Sequence, residues 1–217
     1  MKQYLSFSEC RLWYQNKDEY VRRYVLGQEQ EPTKEQTLGK IVHAALEEPK
    51  YQWLKEMKQK GYSRKLQANV RTVLNKMNAT LPPEREVVVT AKTKYGLNLL
   101  AVFDGLDRRQ RRLYDYKTYS GKHEAFNQWI VDDHMQFSFY AWIWRLTYHQ
   151  YFSDIEIDAI NLDKATIKRY HTVRSSRDVE QVEAWANQAV REMRKEKVWD
   201  KRLSRAERNK LTNLKLL

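Results

Sequence analysis

The chain has 217 residues, and its 40 Lys and Arg against 28 Asp and Glu give a formal net charge of +12 at pH 7. A single cysteine, Cys10, excludes an internal disulfide framework and any metal site built from several cysteines. It also favours a reducing, cytoplasmic location. No apolar run approaches the roughly 18 residues of a membrane span, and the N-terminus lacks the apolar core of a signal peptide. The length suits one domain over residues 1–217.

The positive charge is concentrated in two short segments. Residues 108–122 carry six basic side chains and one acidic, and residues 191–217 carry ten and four. Residues 123–190 are acidic on balance. Phosphate contacts by Lys and Arg release condensed counterions, so this surplus favours a polyanion partner. A solvated surface that keeps the protein soluble explains the surplus equally well.

Residues 1–80 are predicted to be mainly helical. Ser6 or Ser8 can cap a short first helix. A later helix has apolar residues at the spacing of one buried face. These residues are Leu38, Ile41, Val42, Ala45 and Leu46. Pro49 is expected to end that helix. Two more polar helices are predicted over residues 50–60 and 66–77.

After Pro82 and Pro83 the pattern changes to strands, and a sheet core is predicted over residues 84–175. The strand segments are residues 86–93, 97–106, 112–118, 155–162 and 166–173. A helix over residues 132–149 interrupts them, and a C-terminal helix with a basic tail is predicted over residues 177–217. This order indicates an α/β fold with a central mixed sheet flanked by helices and an N-terminal helical segment.

Two strand ends carry the residues with the clearest chemistry. Asp104 follows one apolar strand segment, and Asp115 follows the apolar start of the next. Asp115 and Lys117 are two residues apart and therefore point to the same face of their strand. Two carboxylates beside an ammonium suit Mg²⁺ or Mn²⁺, which also binds waters and phosphate oxygens. For Asp-x-Lys alone, a strand ion pair is the simpler explanation.

Two predicted helices carry further polar residues. Gly39 allows close approach of another element, and His43, one turn later, can supply a nitrogen ligand. Gln136 and Tyr140 lie one turn apart on a buried helix, where polar groups need partners. A structural histidine and an interior hydrogen bond are the alternatives for these two pairs.

Taken in chain order, these motifs resemble the RecB-like branch of the PD-(D/E)XK nuclease superfamily. That branch carries a Gly-x-x-x-His helix, a strand ending in Asp, an Asp-x-Lys strand followed by Thr, and a Gln-x-x-x-Tyr helix. Here the motifs are Gly39 with His43, Asp104, Asp115-Tyr116-Lys117-Thr118, and Gln136 with Tyr140. The resemblance covers residues 5–145 and implies a restriction-endonuclease-like core.

The resemblance also implies a role for each motif residue. Asp104 and Asp115 would hold the metal, with His43 and the backbone carbonyl of Tyr116 as further ligands. Lys117 would be the catalytic lysine.

Other residues are implied less directly. Gln136 and Tyr140 would support the site or contact DNA. Glu86 aligns with an acidic position that often precedes the metal-binding Asp, and Glu47 is a comparable candidate.

Two residues, Asp104 and Asp107, are candidates for the first metal-binding Asp. Members of the branch often have Gly three residues before it, whereas this chain has Ala101 before Asp104. A shifted register would make Asp107 the ligand. Asp104 is preferred because it directly follows the apolar run and leaves Asp107 in the polar turn.

Four arginines lie in the connection between the two metal-ligand strands. They are Arg108, Arg109, Arg111 and Arg112. A basic hairpin in this place can follow a DNA backbone. The four side chains are therefore predicted to bind substrate.

Some members of the branch hold an iron–sulfur cluster on one early and three late cysteines. Cys10 lies near the early position, but no cysteine follows it. The resemblance therefore implies a member without an iron–sulfur cluster.

The sequence thus predicts a Mg²⁺- or Mn²⁺-dependent deoxyribonuclease, with an exonuclease of phage or bacterial recombination or repair as the preferred form. DNA is the expected partner, with no membrane, and a recombination or helicase protein is allowed as a second partner. A catalytically silent DNA-binding scaffold in a recombination or CRISPR-type complex is the alternative. A nuclease that acts on RNA is a third interpretation.

Overall fold

The computed structural model describes residues 4–28, 30–48, 50–121, 126–204 and 207. Eight α-helices lie in this part of the chain: α1 (Phe7–Gln15), α2 (Lys17–Tyr20), α3 (Lys34–Glu47), α4 (Trp53–Gln59), α5 (Arg64–Met77), α6 (Gln128–Asp132), α7 (Met135–Tyr148) and α8 (Ser176–Lys195). The strands are β1 (Tyr4–Leu5), β2 (Glu84–Lys92), β3 (Asn98–Asp107), β4 (Arg112–Tyr119), β5 (Asp154–Asn161) and β6 (Thr166–Thr172). A π-helix (Val21–Val25) continues α2, and short 3-10 helices cover Asn78–Thr80 and Trp199–Lys201.

The six strands form one mixed sheet in the described chain. β3 pairs antiparallel with β2 along one edge. On its other edge it pairs with β1 in parallel at one end and with β4 antiparallel at the other. β4 then pairs in parallel with β5, and β5 pairs antiparallel with β6. The prediction of a central mixed sheet flanked by helices is confirmed.

Helices cover both faces of this sheet. On one face, Phe103 and Ile157 pack in a buried cluster with side chains of α1, α7 and α8. On the other face, Tyr116 and Ile160 pack with side chains of α3, α4 and α5. β5, covered on both faces, is buried at every position after Asp154. Its parallel pairing with β4 fits this double coverage.

Side-chain caps explain where the main helices begin. Ser6, not Ser8, caps α1, and it forms a reciprocal capping box with Glu9. α3 begins at a capping box made by Thr33 and Gln36, and it ends at Glu47. These signals are local in sequence, which is why the predicted boundaries of α1 and α3 are close to those observed.

The helix predicted over residues 132–149 is divided in the structure. α6 ends at Asp132, and α7 begins at Met135 after a cap by His134. Arg174, buried beneath the break, donates hydrogen bonds to the carbonyls of Val131 at 2.9 Å and His134 at 3.3 Å. The guanidinium therefore gives each carbonyl at the break a second donor, beside the backbone N–H groups of His134 and Phe137.

Gly105 lies where β3 passes closest to the chain before β2. A Cβ atom there would lie 2.2 Å from Cγ of Pro82 and 3.1 Å from Cβ of Tyr114. We expect Gly105→Ala to lower the free energy of unfolding by about 1–3 kcal/mol, the usual cost of overpacking a core. Urea unfolding measures this change. An unchanged midpoint would show that Pro82 moves aside at no cost.

Candidate active site

β3 and β4 separate to form a fork at the centre of the sheet. Their pairing runs from Asp107 opposite Arg112 to Gly105 opposite Tyr114 and extends no further in the described chain. β4 continues along β5 as far as Tyr119. Asp104 and the segment Asp115–Lys117 therefore lie where the two strands diverge.

Asp104 is held at the fork by its neighbours. Its Oδ2 atom accepts a hydrogen bond from the backbone N–H of Tyr116 at 2.8 Å and lies 3.6 Å from Nδ1 of His43. Burial opposes ionisation of Asp104, but His43 and Lys117 outweigh it and lower its pKa. Asp104 is thus a carboxylate in contact with an imidazole at the start of the fork.

α3 brings His43 to this carboxylate. Gly39 permits the approach, because a Cβ there would lie 2.9 Å from Oγ1 of Thr118 on β4. Burial alone would lower the pKa of His43, but the hydrogen bond and charge of Asp104 raise it overall. Gly39 and His43 lie one turn apart on α3. The turn with Gly39 therefore packs against β4, and the turn with His43 lies beside β3.

Asp115 and Lys117 form a close ion pair. Nζ of Lys117 lies 3.0 Å from Oδ1 of Asp115 and 2.7 Å from Oδ2. Asp115 is 1% exposed, and burial raises its pKa to about 6, with the charge of Asp104 adding to the effect and Lys117 opposing it. Two carboxylates and one ammonium thus share a poorly solvated space.

Glu86 and Glu47 lie at the outer side of Asp104. Glu86 falls in β2 between the paired residues Arg85 and Val87, so its register position is opposite Asp104. Its φ of 48° is unusual for a non-glycine residue. Burial raises the pKa of Glu47, and the neighbouring Glu86 carboxylate raises it further. The structure therefore brings both acidic candidates near His43 and Asp104.

α7 places Gln136 and Tyr140 beside the same space. Nε2 of Gln136 donates a hydrogen bond to the Tyr140 hydroxyl at 2.6 Å. Tyr140 is largely buried, and this desolvation, with the charges of Asp115 and Asp104, raises its pKa. The hydroxyl is therefore protonated and has a proton of its own to donate.

The arginines of the β3–β4 connection are placed away from the fork. At about 3.3 Å per residue, Arg112 lies roughly 10 Å along β4 from Asp115, and Arg111 precedes it. Arg108 donates to Glu84 at 2.8 Å and to the Tyr148 hydroxyl at 2.6 Å. Arg112 lies 2.9 Å from a carboxylate oxygen of Asp154.

Two of the four arginines predicted to bind substrate, Arg108 and Arg112, are thus engaged in ion pairs, whereas Arg109 and Arg111 are exposed.

Asp107 lies in the same connection. Its Oδ1 atom accepts hydrogen bonds from the backbone N–H groups of Arg109 and Gln110. Asp107 therefore organises the turn, and it is Asp104 that lies beside His43.

The sequence of residues 4–206 matches the family model of the PD-(D/E)XK nuclease superfamily. The chain belongs to this superfamily. The match extends beyond the fork to include α8 and the segment that follows it.

A solved structure shares the fold of this nuclease. It is a crystal structure from Eubacterium rectale described as a "Putative exonuclease", with a TM-score of 0.64 and 14% sequence identity. The similarity covers 86% of this chain and 78% of that chain. No curated protein matches the nuclease in sequence.

A second group of side chains of the types that bind metal ions lies on β5 and β6. Ligand atoms of Asp154, Glu156 and His171 fall within 4.8 Å of one another. Glu156 is opposite Tyr114 in the register, whereas Asp115 is opposite Ile157, so this group faces the other side of the sheet from Asp115. Arg112 and Arg169 lie within ion-pair distance of Glu156. The group already has compensating cations.

Two side chains that sequence motifs did not select also border the fork. His134 caps α7, and burial together with the charges of Lys117 and Arg11 lowers its pKa to about 4. Arg11 belongs to α1, and its charge acts on both Lys117 and His134. Only the tertiary fold brings α1 to this place, so no local signal identifies either residue.

Among the described residues, no helix combines the length and the apolar composition that crossing a bilayer requires.

Proposed function

We propose that this nuclease is a single-domain, metal-dependent deoxyribonuclease that hydrolyses phosphodiester bonds at the fork. The observation that carries the proposal is the meeting of Asp104, Asp115, Lys117 and His43 where β3 and β4 separate. Each of the four comes from a motif predicted from sequence, and α3, which carries His43, is far in the chain from β3 and β4.

The donor set of the fork suits a hard divalent cation. Asp104 and Asp115 supply carboxylates, His43 supplies a nitrogen, and the carbonyl of Tyr116 is a further candidate. Burial and the charge of Asp104 raise the pKa of Asp115, and a cation between the two carboxylates would stabilise the ionised form. Mg²⁺ and Mn²⁺ prefer these ligands, and either, when bound, supplies positive charge that activates water and offsets charge on phosphate.

Lys117 has a separate part in the proposed reaction. Its ammonium is fixed by two contacts with Asp115, and it keeps a hydrogen for the attacking water or a phosphate oxygen. Such a fixed donor stabilises negative charge that develops on phosphorus oxygens. The Tyr140 hydroxyl, which accepts a hydrogen bond from Gln136, is proposed to donate to a second oxygen of the same phosphate.

Glu86 and Glu47 are proposed to bind water on the outer side of Asp104. Their carboxylates add negative charge on the outer side of His43 and Asp104. They can bind water molecules that complete the coordination of a cation. We assign Glu86 to the catalytic group on this basis.

Metal dependence is the first test of the proposal. We expect purified protein to degrade linear DNA with Mg²⁺ or Mn²⁺, to stop with excess EDTA, and to resume when the metal is restored. Asp115→Asn should lower the rate by at least about 100-fold, because it removes a charge from the metal site. Asp163→Asn, in the β5–β6 connection, is the matched control. Cleavage that persists in EDTA would overturn the proposal.

The finer proposal is an exonuclease of recombination or repair, in keeping with the description of the Eubacterium rectale protein. Comparison of linear with closed circular duplex DNA tests it. An exonuclease should degrade the linear form to nucleotides and leave the closed circle intact. Equal cleavage of both forms would instead establish an endonuclease.

A further inference from the structure

A groove of about 740 Å³ adjoins the fork and is not used by the chemistry above. Gln136 and Tyr140 line it on the side of the fork, and Arg11 of α1 lines it as well. Residues 100–102 of β3 form part of its wall, and Leu203 and Ser204 border it at the C-terminal side. The groove therefore leads away from the carboxylates along β3, on the side opposite the Arg108 turn.

The β3 edge in this groove has no strand partner within the described chain. β1 pairs with β3 only as far as Leu99, and β4 begins to pair at Gly105. Residues 100–103 are paired with β2 on their other side alone. Alternate backbone groups of this stretch point away from β2 and are open to hydrogen bonds from water or a ligand.

The charged side chains of the groove favour an anion. Arg11, Arg23 and Arg202 line it together with one acidic residue, Glu9. Glu9 is compensated, because Arg202 lies 3.0 Å from its Oε1 atom and the N–H of Ser6 donates to its Oε2 atom at 2.8 Å. The balance is positive, and the exposed guanidinium of Arg11 donates a hydrogen bond to the side chain of Gln15 at 3.1 Å.

We propose that this groove binds one unpaired strand of the DNA substrate next to the scissile phosphate, and that Arg11 contacts a phosphate of that strand. The inference rests on the proposed function of the fork. A guanidinium is well suited to bind phosphate oxygens. The rings of Tyr4 and Phe7 also line the groove and offer faces on which bases can stack.

The size of the groove favours a single strand. Its volume lies within the range of about 300–1,000 Å³ that is usual for sites that bind small ligands. It is bordered by α1 and β3 and by the chain after Arg202. Such a space holds a few nucleotides of one strand, whereas a duplex would have to lie outside it.

Binding without cleavage tests the inference. Fluorescence anisotropy of a labelled oligothymidylate in EDTA should show that Arg11→Gln weakens binding about tenfold. It should also reduce the slope of log affinity against log salt by about 0.7, the value for one phosphate of a single strand. Arg71→Gln, an exposed arginine of α5, is the matched control and should bind like the wild type.

The inference would be overturned if the wild-type protein does not bind the oligonucleotide. It would also be overturned if Arg11→Gln leaves both the affinity and the salt slope unchanged, or if Arg11→Gln weakens binding only to duplex DNA of the same sequence. The proposed function fails separately, if the wild type binds DNA but does not cleave it with Mg²⁺ or Mn²⁺.

Discussion

Lys117→Ala is expected to lower the rate of DNA cleavage by about 10²–10⁴-fold, the usual effect of removing a fixed donor or acid–base group. The variant loses the ammonium that lies 2.7 Å from Asp115. Single-turnover cleavage of labelled linear DNA measures the loss. DNA binding should be largely retained, because the phosphate contact proposed for Arg11 lies outside the fork.

A matched set of variants separates chemistry from folding in this experiment. Lys65→Ala removes an exposed lysine of α5 and should cleave like the wild type. Lys117→Gln keeps a hydrogen-bond donor beside Asp115 without the charge, and it should be folded and equally inactive. Retained cleavage in folded Lys117→Ala would remove Lys117 from the catalytic group.

Arg202→Met is expected to lower the free energy of unfolding by about 3–5 kcal/mol, because it leaves a buried carboxylate without its partner. Glu9 and Arg202 are both nearly inaccessible, with Nη1 to Oε1 at 3.0 Å. Arg202 also lies over the ring of Trp199, 3.6 Å from its centroid. This pair attaches the chain after α8 to the first turn of α1.

Urea unfolding of a double variant distinguishes the charge from the packing. Glu9→Gln with Arg202→Met removes both charges, so it should regain part of the lost stability. Lys17→Met breaks an exposed pair with Glu196 and should change the midpoint little, since surface pairs contribute little. An Arg202→Met midpoint equal to that of Lys17→Met would show that the buried pair is not stabilising.

Sequence patterns predict the parts of the fold that depend on local signals. The capped start of α1, the strand segments and the Asp-x-Lys strand all follow from neighbouring residues. The two-residue strand β1 has no such signal, because it exists only by pairing with the free end of β3. The break before α7 is likewise hidden, since it is stabilised by Arg174, about 40 residues later.

The same distinction explains the outcome at the candidate site. His43, Asp104, Asp115 and Lys117 could be chosen from sequence because each lies beside an apolar strand segment or at a characteristic helix spacing, although β3 and β4 continue beyond the three strand residues. Arg11 could not, because its place beside the fork depends on how α1 packs. Counting charges also treats all arginines of the β3–β4 connection alike, although Arg108 is paired with Glu84 in the fold.

The central claim is that the fork holds the divalent cation, and calorimetric titration with Mn²⁺ tests it most directly. We expect Asp104→Asn and Asp115→Asn to weaken Mn²⁺ binding by at least about tenfold, as loss of a ligand should do. Asp107→Asn, in the turn, and Asp154→Asn, in the group on β5 and β6, should bind like the wild type. Unchanged binding in both fork variants, or binding lost only in Asp154→Asn, would contradict the claim.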